Sequence, residues 1–233
     1  MNTPSACGGV IYKGEIMKRT TTTKIIGLPT DNHEQILKLF DSPKLIGLIG
    51  DRNSGKSNLL YWTIKALREN FHFNLFYYGL RAKVFGAVQI FSTEELEVIH
   101  DSIVIIDEYA SLFDIDDRKQ KKAIENSLRL INHNNNVILL SGLPENYRKF
   151  IASKLDAMIF KQSSIGDAIN GSMVKKRVVN YGGDERGSAV LALKPNEAIV
   201  YNGIHYYKVS VPKIEEADTK ANNVDILVKI KRS

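Results

Sequence analysis

The chain contains the stretch Gly50-Asp51-Arg52-Asn53-Ser54-Gly55-Lys56-Ser57. This stretch matches the pattern GxxxxGK[ST], which is typical of a loop that binds phosphate groups. An apolar run over 45–49 precedes the loop, and a helical pattern from Asn58 to Glu69 follows it. A loop placed between a strand and a helix turns its backbone N–H groups inward around an anion. The sequence therefore predicts a nucleotide-binding loop in preference to a simple glycine-rich turn.

The residues of this phosphate loop have separate predicted roles. Lys56 is expected to reach the β- and γ-phosphates, and the Ser57 hydroxyl is expected to ligate Mg²⁺. The predicted cofactors are therefore ATP and Mg²⁺. The residues predicted to contact the nucleotide are Gly50, Asp51, Arg52, Asn53, Ser54, Gly55, Lys56, Ser57, Asn58 and, from a later strand, Ser141.

A second motif is the acidic pair Asp107-Glu108, which follows the β-branched run 102–106. A continuous apolar run of this kind is typical of a strand buried on both faces of a parallel sheet. In this class of site the first acid holds Mg²⁺ through water, and the second takes a proton from the attacking water. Asp107 is thus predicted as a metal residue and Glu108 as the catalytic base. The glutamate favours an ATPase over nucleotide kinases and small GTPases, which activate their nucleophile differently.

The order of the predicted elements indicates an α/β fold with a mainly parallel sheet and helices on both faces. The predicted strands cover 44–49, 73–78, 84–91, 102–106, 137–140 and 157–160. The predicted helices cover 30–40, 58–69, a short segment from Ser92, 118–131 and 145–154. After residue 161 the pattern becomes strand-like, and the runs 197–201 and 204–211 flank Asn202-Gly203. Asn-Gly is a signal for a two-residue turn, so a C-terminal β-hairpin is predicted.

The predicted domain organisation has three parts. Residues 1–23 are expected to form a flexible N-terminal arm, and residues 212–233 a C-terminal tail. Between them lies a P-loop ATPase domain over 24–211, with a core at 44–162 and a β-rich part at 173–211.

Composition and charge narrow the class of protein. Of the 233 residues, 43% are hydrophobic, which is enough for a sizeable core. The single cysteine, Cys7, can form no intramolecular disulfide and no metal cluster. No apolar run approaches about 18 residues, so no membrane span is predicted. The formal net charge of +6 permits contact with nucleic acid without requiring it.

The strand predicted over 137–140 ends at Ser141. In additional-strand P-loop ATPases, one strand lies between the strand before the phosphate loop and the strand before the acidic pair. If 137–140 is that strand, Ser141 faces the γ-phosphate. The alternative is that Ser141 only caps the helix that follows, and the two roles are compatible.

Over residues 44–211 the chain resembles the FtsK–HerA class of DNA-pumping ATPases. The resemblance is carried by the phosphate loop, the acidic pair, and two later stretches: Ser-Gly-Leu-Pro at 141–144 and Ser-Lys-Leu-Asp-Ala-Met-Ile-Phe-Lys-Gln-Ser-Ser at 153–164. The small size of the chain is most similar to that of the viral genome-packaging ATPases of this class. The resemblance implies a RecA- and FtsK-like fold, ATP hydrolysis, double-stranded DNA as partner and a working form that is a ring.

The chain departs from this class at the tip of the added strand. Where the class usually has Thr-Gln-Arg-Pro, Gly142 cannot replace a glutamine that senses the γ-phosphate, and Leu143 carries no charge. Members often carry an arginine that reaches the neighbouring subunit from the loop before this strand, where this chain has His133 and asparagines. Arg129 and Arg148 are the candidate catalytic arginines, with a solvated helix face as the alternative for each. Such an arginine is worth on the order of 10³–10⁵ in rate, so the departure bears on activity.

Two basic groups are the candidates for gripping DNA. A motor that moves over any sequence must hold the phosphate backbone, which requires lysine and arginine. The predicted nucleic-acid-binding residues are Lys175, Lys176, Arg177 and Arg186 around the stretch 181–184, and Lys119, Lys121 and Lys122. The alternative for each basic group is an ordinary solvent-exposed surface without a DNA-binding role.

The sequence and the resemblance therefore predict an ATP-driven translocase of double-stranded DNA, and specifically a viral genome-packaging motor. Such a motor would work in the host cytoplasm and dock on a capsid portal or vertex protein. One alternative is a replication-type ATPase such as a helicase loader, which should carry a C-terminal helical lid. The other is a nucleotide-gated assembly protein with weak hydrolysis, which the missing glutamine and arginine motivate.

Overall fold

The computed structural model describes the parts of the chain that carry both predicted motifs and the C-terminal hairpin. The described residues are 33–70, 73–80, 84, 86–113, 126, 128–129, 133–147, 149–163, 190 and 192–214. The predicted arm at 1–23, most of the tail at 212–233, and residues 173–189 of the β-rich part lie outside them, so these domain boundaries remain predictions.

Strands and helices alternate along most of the described chain. The strands are β1 (Lys44–Ile49), β2 (Asn74–Tyr78), β3 (Val88–Gln89), β4 (Ser102–Ile106), β5 (Val137–Gly142), β6 (Ala157–Phe160), β7 (Glu197–Tyr201) and β8 (Tyr206–Ser210). The α-helices are α1 (Glu34–Leu37), α2 (Lys56–Asn70), α3 (Thr93–Glu97), α4 (Tyr109–Leu112) and α5 (Lys149–Ala152), and 3-10 turns cover Lys38–Phe40 and Pro144–Asn146.

All eight strands form one sheet in the order β3-β2-β4-β5-β1-β6-β7-β8. The six strands β1 to β6 are mutually parallel. β7 and β8 extend the sheet as antiparallel additions. β5 lies between β1 and β4, with Ile46 opposite Leu139 and Ile105 opposite the same residue on the other side. This is the arrangement predicted for an additional-strand P-loop ATPase, and the predicted fold class is confirmed.

The central strands are apolar on both faces because helices cover both faces. Alternate residues of β4 point to opposite sides, so Ile103 and Ile105 join the core under α1 and α2. Val104 and Ile106 join the second core, which contains Leu96 of α3. The continuous apolar run in the sequence therefore corresponds to a strand between two hydrophobic layers.

The C-terminal additions form the predicted hairpin, but its loop is longer than predicted. Tyr201 pairs with Tyr206, so the loop has four residues rather than the two of Asn202-Gly203. The Asn202 carboxamide oxygen accepts the N–H groups of Ile204 and His205 at 3.0 and 2.8 Å, which stabilises the wider loop. Gly203 takes a positive φ of 98°. The helical lid expected of a helicase loader is not found in the described residues 192–214.

Two other predictions of secondary structure are corrected, and one is confirmed. Of the strand predicted over 84–91, only Val88–Gln89 is a strand, because the chain turns at Gly86 with a φ of 71°. The helix predicted over 145–154 is divided into the 3-10 turn and α5. The capping box predicted at Ser92 is confirmed, with the Glu95 carboxylate accepting the Ser92 N–H at 3.1 Å.

The helix predicted over 118–131 falls mostly outside the described residues. In the described part of the chain, no helix has the length and apolar character needed to cross a lipid bilayer.

Candidate nucleotide-binding site

The phosphate loop connects β1 to α2 at the carboxyl edge of the parallel strands. The Gly50 N–H donates to the Gly142 carbonyl at 3.4 Å, and the Asp51 N–H donates to the Gln162 carbonyl at 3.0 Å. The loop is thus tied to the strand tips on both sides of β1. Asn53 and Gly55 adopt positive φ values of 61° and 87°. Left-handed residues within a glycine-bearing turn direct successive N–H groups toward one point, which is the geometry of an anion-binding nest.

The Lys56 side chain folds back onto the first two residues of this loop. Its Nζ donates to the carbonyl oxygens of Gly50 and Asp51, each at 2.7 Å. Partial burial lowers the pKa of Lys56, and the negative charges of Asp107, Asp51, Glu108 and Glu145 oppose that shift. The two motifs predicted from the sequence therefore meet in one electrostatic site.

Asp107 stands at the carboxyl end of β4, where its N–H donates to the Tyr78 carbonyl of the neighbouring strand at 2.9 Å. Its carboxylate accepts the Glu108 N–H at 3.1 Å. Burial raises the pKa of Asp107, and the facing Ser141 hydroxyl lowers it. The Ser141 oxygen is itself fully buried, and no group among the described residues lies in full hydrogen-bond geometry with it. A partly buried carboxylate next to a buried hydroxyl is an arrangement that a bound cation and its waters would stabilise further.

Glu108 has a strained backbone. It lies in the left-handed region at φ 48° and ψ 51°, immediately before α4. Its carbonyl accepts the N–H and the hydroxyl of Ser111, each at 2.8 Å, which helps to hold this conformation. Its side chain is exposed. Left-handed residues other than glycine cost about 1–3 kcal/mol and cluster at functional sites, so the strain agrees with a site role for Glu108.

Packing at the tip of β5 leaves no room for a side chain at position 142, where the FtsK–HerA class usually has glutamine. A Cβ on Gly142 would lie 2.8 and 3.0 Å from two ring carbons of Tyr109, the residue after Glu108. The Tyr109 ring packs edge-on against Tyr147 with centroids 5.0 Å apart. Tyr147 in turn donates its hydroxyl proton to the carbonyls of Leu48 and Leu140, at 3.0 and 2.5 Å. An aromatic pair therefore fills the space where a longer side chain at 142 would begin.

Asn58 makes a contact that the sequence did not indicate. Its carboxamide nitrogen donates to the Pro212 carbonyl at 3.1 Å, and its oxygen accepts the Ile214 N–H at 2.6 Å. The side chain therefore holds the segment after β8 against the first turn of α2. Both polar atoms of the Asn58 side chain are thus engaged by this segment, and the predicted contact of Asn58 with nucleotide remains a prediction.

The residues around the loop fit a nucleotide with its magnesium ion. The Ser54 hydroxyl inside the loop is buried and, like that of Ser141, has no hydrogen-bond partner in the part of the chain that the structure describes. Gly50 admits no side chain, since a Cβ there would fall 2.6 Å from the Lys161 Cβ. The N–H groups of the loop, the buried serine hydroxyls and the partly buried Asp107 carboxylate together provide the kinds of donor and acceptor that a polyphosphate and Mg²⁺ use.

Sequence reasoning missed Lys161. This residue follows β6 directly, and its Cβ lies against the phosphate loop at Gly50. The available signal was a lysine next to a fully buried strand, where a charged side chain is uncommon.

The candidate catalytic arginines and DNA-binding residues are placed only in part. Arg129 belongs to a helical segment and is exposed. The remaining candidates, which are Arg148, Lys175, Lys176, Arg177, Arg186, Lys119, Lys121 and Lys122, lie outside the described residues. Their roles, and that of Arg129, remain predictions.

The added strand, the phosphate loop and the acidic strand tip define the fold of P-loop ATPases of the additional-strand type. Among solved structures, the chain is similar to B204, the DNA-packaging ATPase from Sulfolobus Turreted Icosahedral Virus, with a TM-score of 0.53. Sequence identity is 15%, and the match covers 73% of this chain and 98% of that chain.

The chain is also similar to the genome packaging NTPase B204 from Sulfolobus turreted icosahedral virus 2. The structure of that protein with sulfate has a TM-score of 0.53 and 16% identity, covering 72% of this chain and 96% of that chain. Its structure with AMPPCP has a TM-score of 0.51 and 15% identity, covering 72% and 97%. The predicted resemblance to viral genome-packaging ATPases is thus confirmed at the level of the fold. A scan of family models and a search of curated proteins found no match.

Proposed function

We propose that the chain binds ATP with Mg²⁺ at the phosphate loop and hydrolyses it. The observation that carries the proposal is the convergence of Lys56, Asp107 and Ser141 at one edge of three neighbouring strands. Their mutual electrostatic effects on the pKa values of Lys56 and Asp107 support a shared site.

Each residue has a role that follows from its chemistry. Lys56 and the N–H groups of the loop would bind the β- and γ-phosphates. Ser57 and Asp107 would hold Mg²⁺, which when bound supplies positive charge to the terminal phosphates. Glu108 would accept a proton from the attacking water, because it is exposed and adjacent to Asp107.

Coupling of hydrolysis to double-stranded DNA translocation, as in viral genome packaging, is the second part of the proposal. It is supported by the likeness to B204, described as a DNA-packaging ATPase, over nearly all of that chain. A ring would bring an arginine of one subunit, Arg129 or Arg148, to the site of the next. The partner would be a capsid portal or vertex protein, in the host cytoplasm.

A nucleotide-gated assembly protein with weak hydrolysis is a second candidate function. It is favoured by the tip of β5, where Gly142 under the Tyr109 ring leaves no side chain to sense the γ-phosphate. Such a protein would bind ATP through the same loop but would have no need of DNA.

One experiment separates the two functions. The rate of ATP hydrolysis is measured with and without double-stranded DNA, and the native mass is measured with a non-hydrolysable ATP analogue. A motor is expected to show DNA-stimulated hydrolysis and a ring-sized mass. A nucleotide-gated assembly protein is expected to change its native mass when nucleotide binds. Its slow rate of hydrolysis should be the same with and without DNA. Failure to bind Mg²⁺ and ATP would overturn both.

A further inference from the structure

Lys161 is a fully buried lysine at the edge of the phosphate loop, with 0% of its surface exposed. Its Nζ donates to the carbonyl oxygens of Pro195 and Glu197, at 2.6 and 2.7 Å. Burial lowers the pKa of Lys161 to about 8; the charge of Glu197 raises it and that of Lys56 lowers it further. Burying a charged group costs more free energy than burying an apolar side chain of similar size. Packing alone therefore does not account for a lysine at this position.

The carbonyls that Lys161 holds belong to the segment 194–197, here called the strap, which leads into β7. The strap touches the phosphate loop. A Cβ on Gly55 would overlap the Pro195 carbonyl oxygen, and the same position lies 3.3 Å from Lys161 Nζ. Gly55 carries the positive φ of 87° that shapes the loop before Lys56. Both glycines of the motif thus pack against Lys161 or against the carbonyl that it binds.

The strap is also fixed from its other side. The Glu197 carboxylate accepts the Lys194 N–H at 2.9 Å and pairs with Lys208 Nζ at 2.9 Å. The Glu197 N–H donates to the Lys194 carbonyl at 2.9 Å. The Lys161 N–H donates to the Ile49 carbonyl at 2.7 Å, at the end of β1. Lys161 is therefore bonded by its backbone to the strand before the loop and by its side chain to the strap beside the loop.

We propose that Lys161 is a positioning residue for nucleotide binding, which holds the strap 194–197 against Gly55 and so keeps the phosphate loop in its binding conformation. The inference rests on the proposed binding of ATP by this loop. A loop held in shape before binding loses less conformational entropy when the phosphates arrive, and affinity rises accordingly. The β7–β8 hairpin thereby acts on the nucleotide site through a backbone contact rather than through a side chain of its own.

The test compares Lys161→Met with Lys154→Met in the full chain. Methionine keeps the length and apolar stem of lysine but removes the donors, and Lys154 is an exposed lysine in the same region. The dissociation constant of a fluorescent ATP analogue with Mg²⁺ is expected to rise about tenfold for Lys161→Met and to stay unchanged for Lys154→Met. KM for ATP should rise by a similar factor while kcat stays within about twofold, since Lys161 touches no reacting atom.

Hydrogen exchange gives a readout that a role in stability alone would not move. Amides in a peptide covering 50–57 should exchange faster in Lys161→Met, with unchanged exchange in the strands β4 and β5. If the affinity and the exchange of 50–57 both match those of Lys154→Met, the positioning role is wrong.

Two further variants keep the outcomes distinct. Lys56→Ala should abolish binding of the analogue; if it does not, the proposed function fails before Lys161 is considered. If Lys161→Met does not fold, Glu197→Ala loosens the strap from its partly exposed side and should raise the dissociation constant about threefold. Unchanged affinity in Glu197→Ala would then overturn the role of the strap.

Discussion

The parallel strands β1, β4 and β5 and the antiparallel strand β7 reach the same loop but contribute to it differently. The parallel strands end at one edge of the sheet, so the groups that follow them, Lys56, Asp107 and Ser141, meet there as side chains. β7 runs the other way, with Ile199 opposite Phe160, and therefore begins at that edge. It offers backbone carbonyls, which Lys161 binds. In the proposed function, the parallel half would supply the side chains that bind and hydrolyse ATP, and the antiparallel half would support the loop that they surround.

The largest effect is expected at Lys56, in the parallel half. Lys56→Ala removes the ammonium group predicted to neutralise the terminal phosphates, and ATP hydrolysis should fall by at least about 10²–10³. Lys65→Ala is the control, because Lys65 lies exposed on the same helix. Steady-state hydrolysis checks the prediction. Retained hydrolysis in Lys56→Ala would mean that the parallel half does not supply the chemistry.

The next effect separates catalysis from binding within that half. Glu108→Gln should lower kcat by about 10²–10⁴, as expected for a general base, and leave the dissociation constant for ATP within about threefold. Glu145→Gln is the control, because Glu145 is also exposed and its negative charge also raises the pKa of Lys56. Equal losses in both variants would point to a general effect of charge and against a base at 108.

A smaller effect is expected from packing at the tip of β5. Gly142→Ala places a methyl group 2.8 Å from the Tyr109 ring, and overpacking of this kind costs about 1–3 kcal/mol in the free energy of unfolding. Urea denaturation measures the loss. The same substitution in a Tyr109→Leu background should cost less, because the two residues are in contact. Equal cost in both backgrounds would show that the ring does not occupy this space.

The smallest effect is the pH dependence of the supporting half. The pKa of Lys161 is about 8 in the folded chain and 10.5 as the ordinary value. Above pH 8 the unfolded chain keeps a proton that the folded chain has released, so folding stability rises with pH by at most about 1.4 kcal/mol per unit. From pH 8 to 9.5, the free energy of unfolding of the natural chain should therefore rise by about 1–2 kcal/mol relative to that of Lys161→Met. A constant difference between the two proteins would contradict the buried charge.

Local sequence is enough to specify the phosphate loop, the acidic strand and the alternation of strands and helices. Each depends on neighbours in the chain: glycines that permit positive φ, a β-branched run, and a hydroxyl or lysine at the start of a helix. The division of the helix predicted over 145–154 and the four-residue hairpin loop were not predicted, because competing turns close to one another in energy decide them.

The packing around the loop was decided only in three dimensions. Tyr109 against Gly142, Asn58 against Pro212 and Lys161 against Pro195 join residues that are more than 30 positions apart. No periodic pattern in the sequence marks such pairs, because the residues around each partner carry no signal of the other. The two residues come into contact only when the sheet forms. The chain encodes the chemistry of the site locally, and the fold supplies its support through long-range contacts.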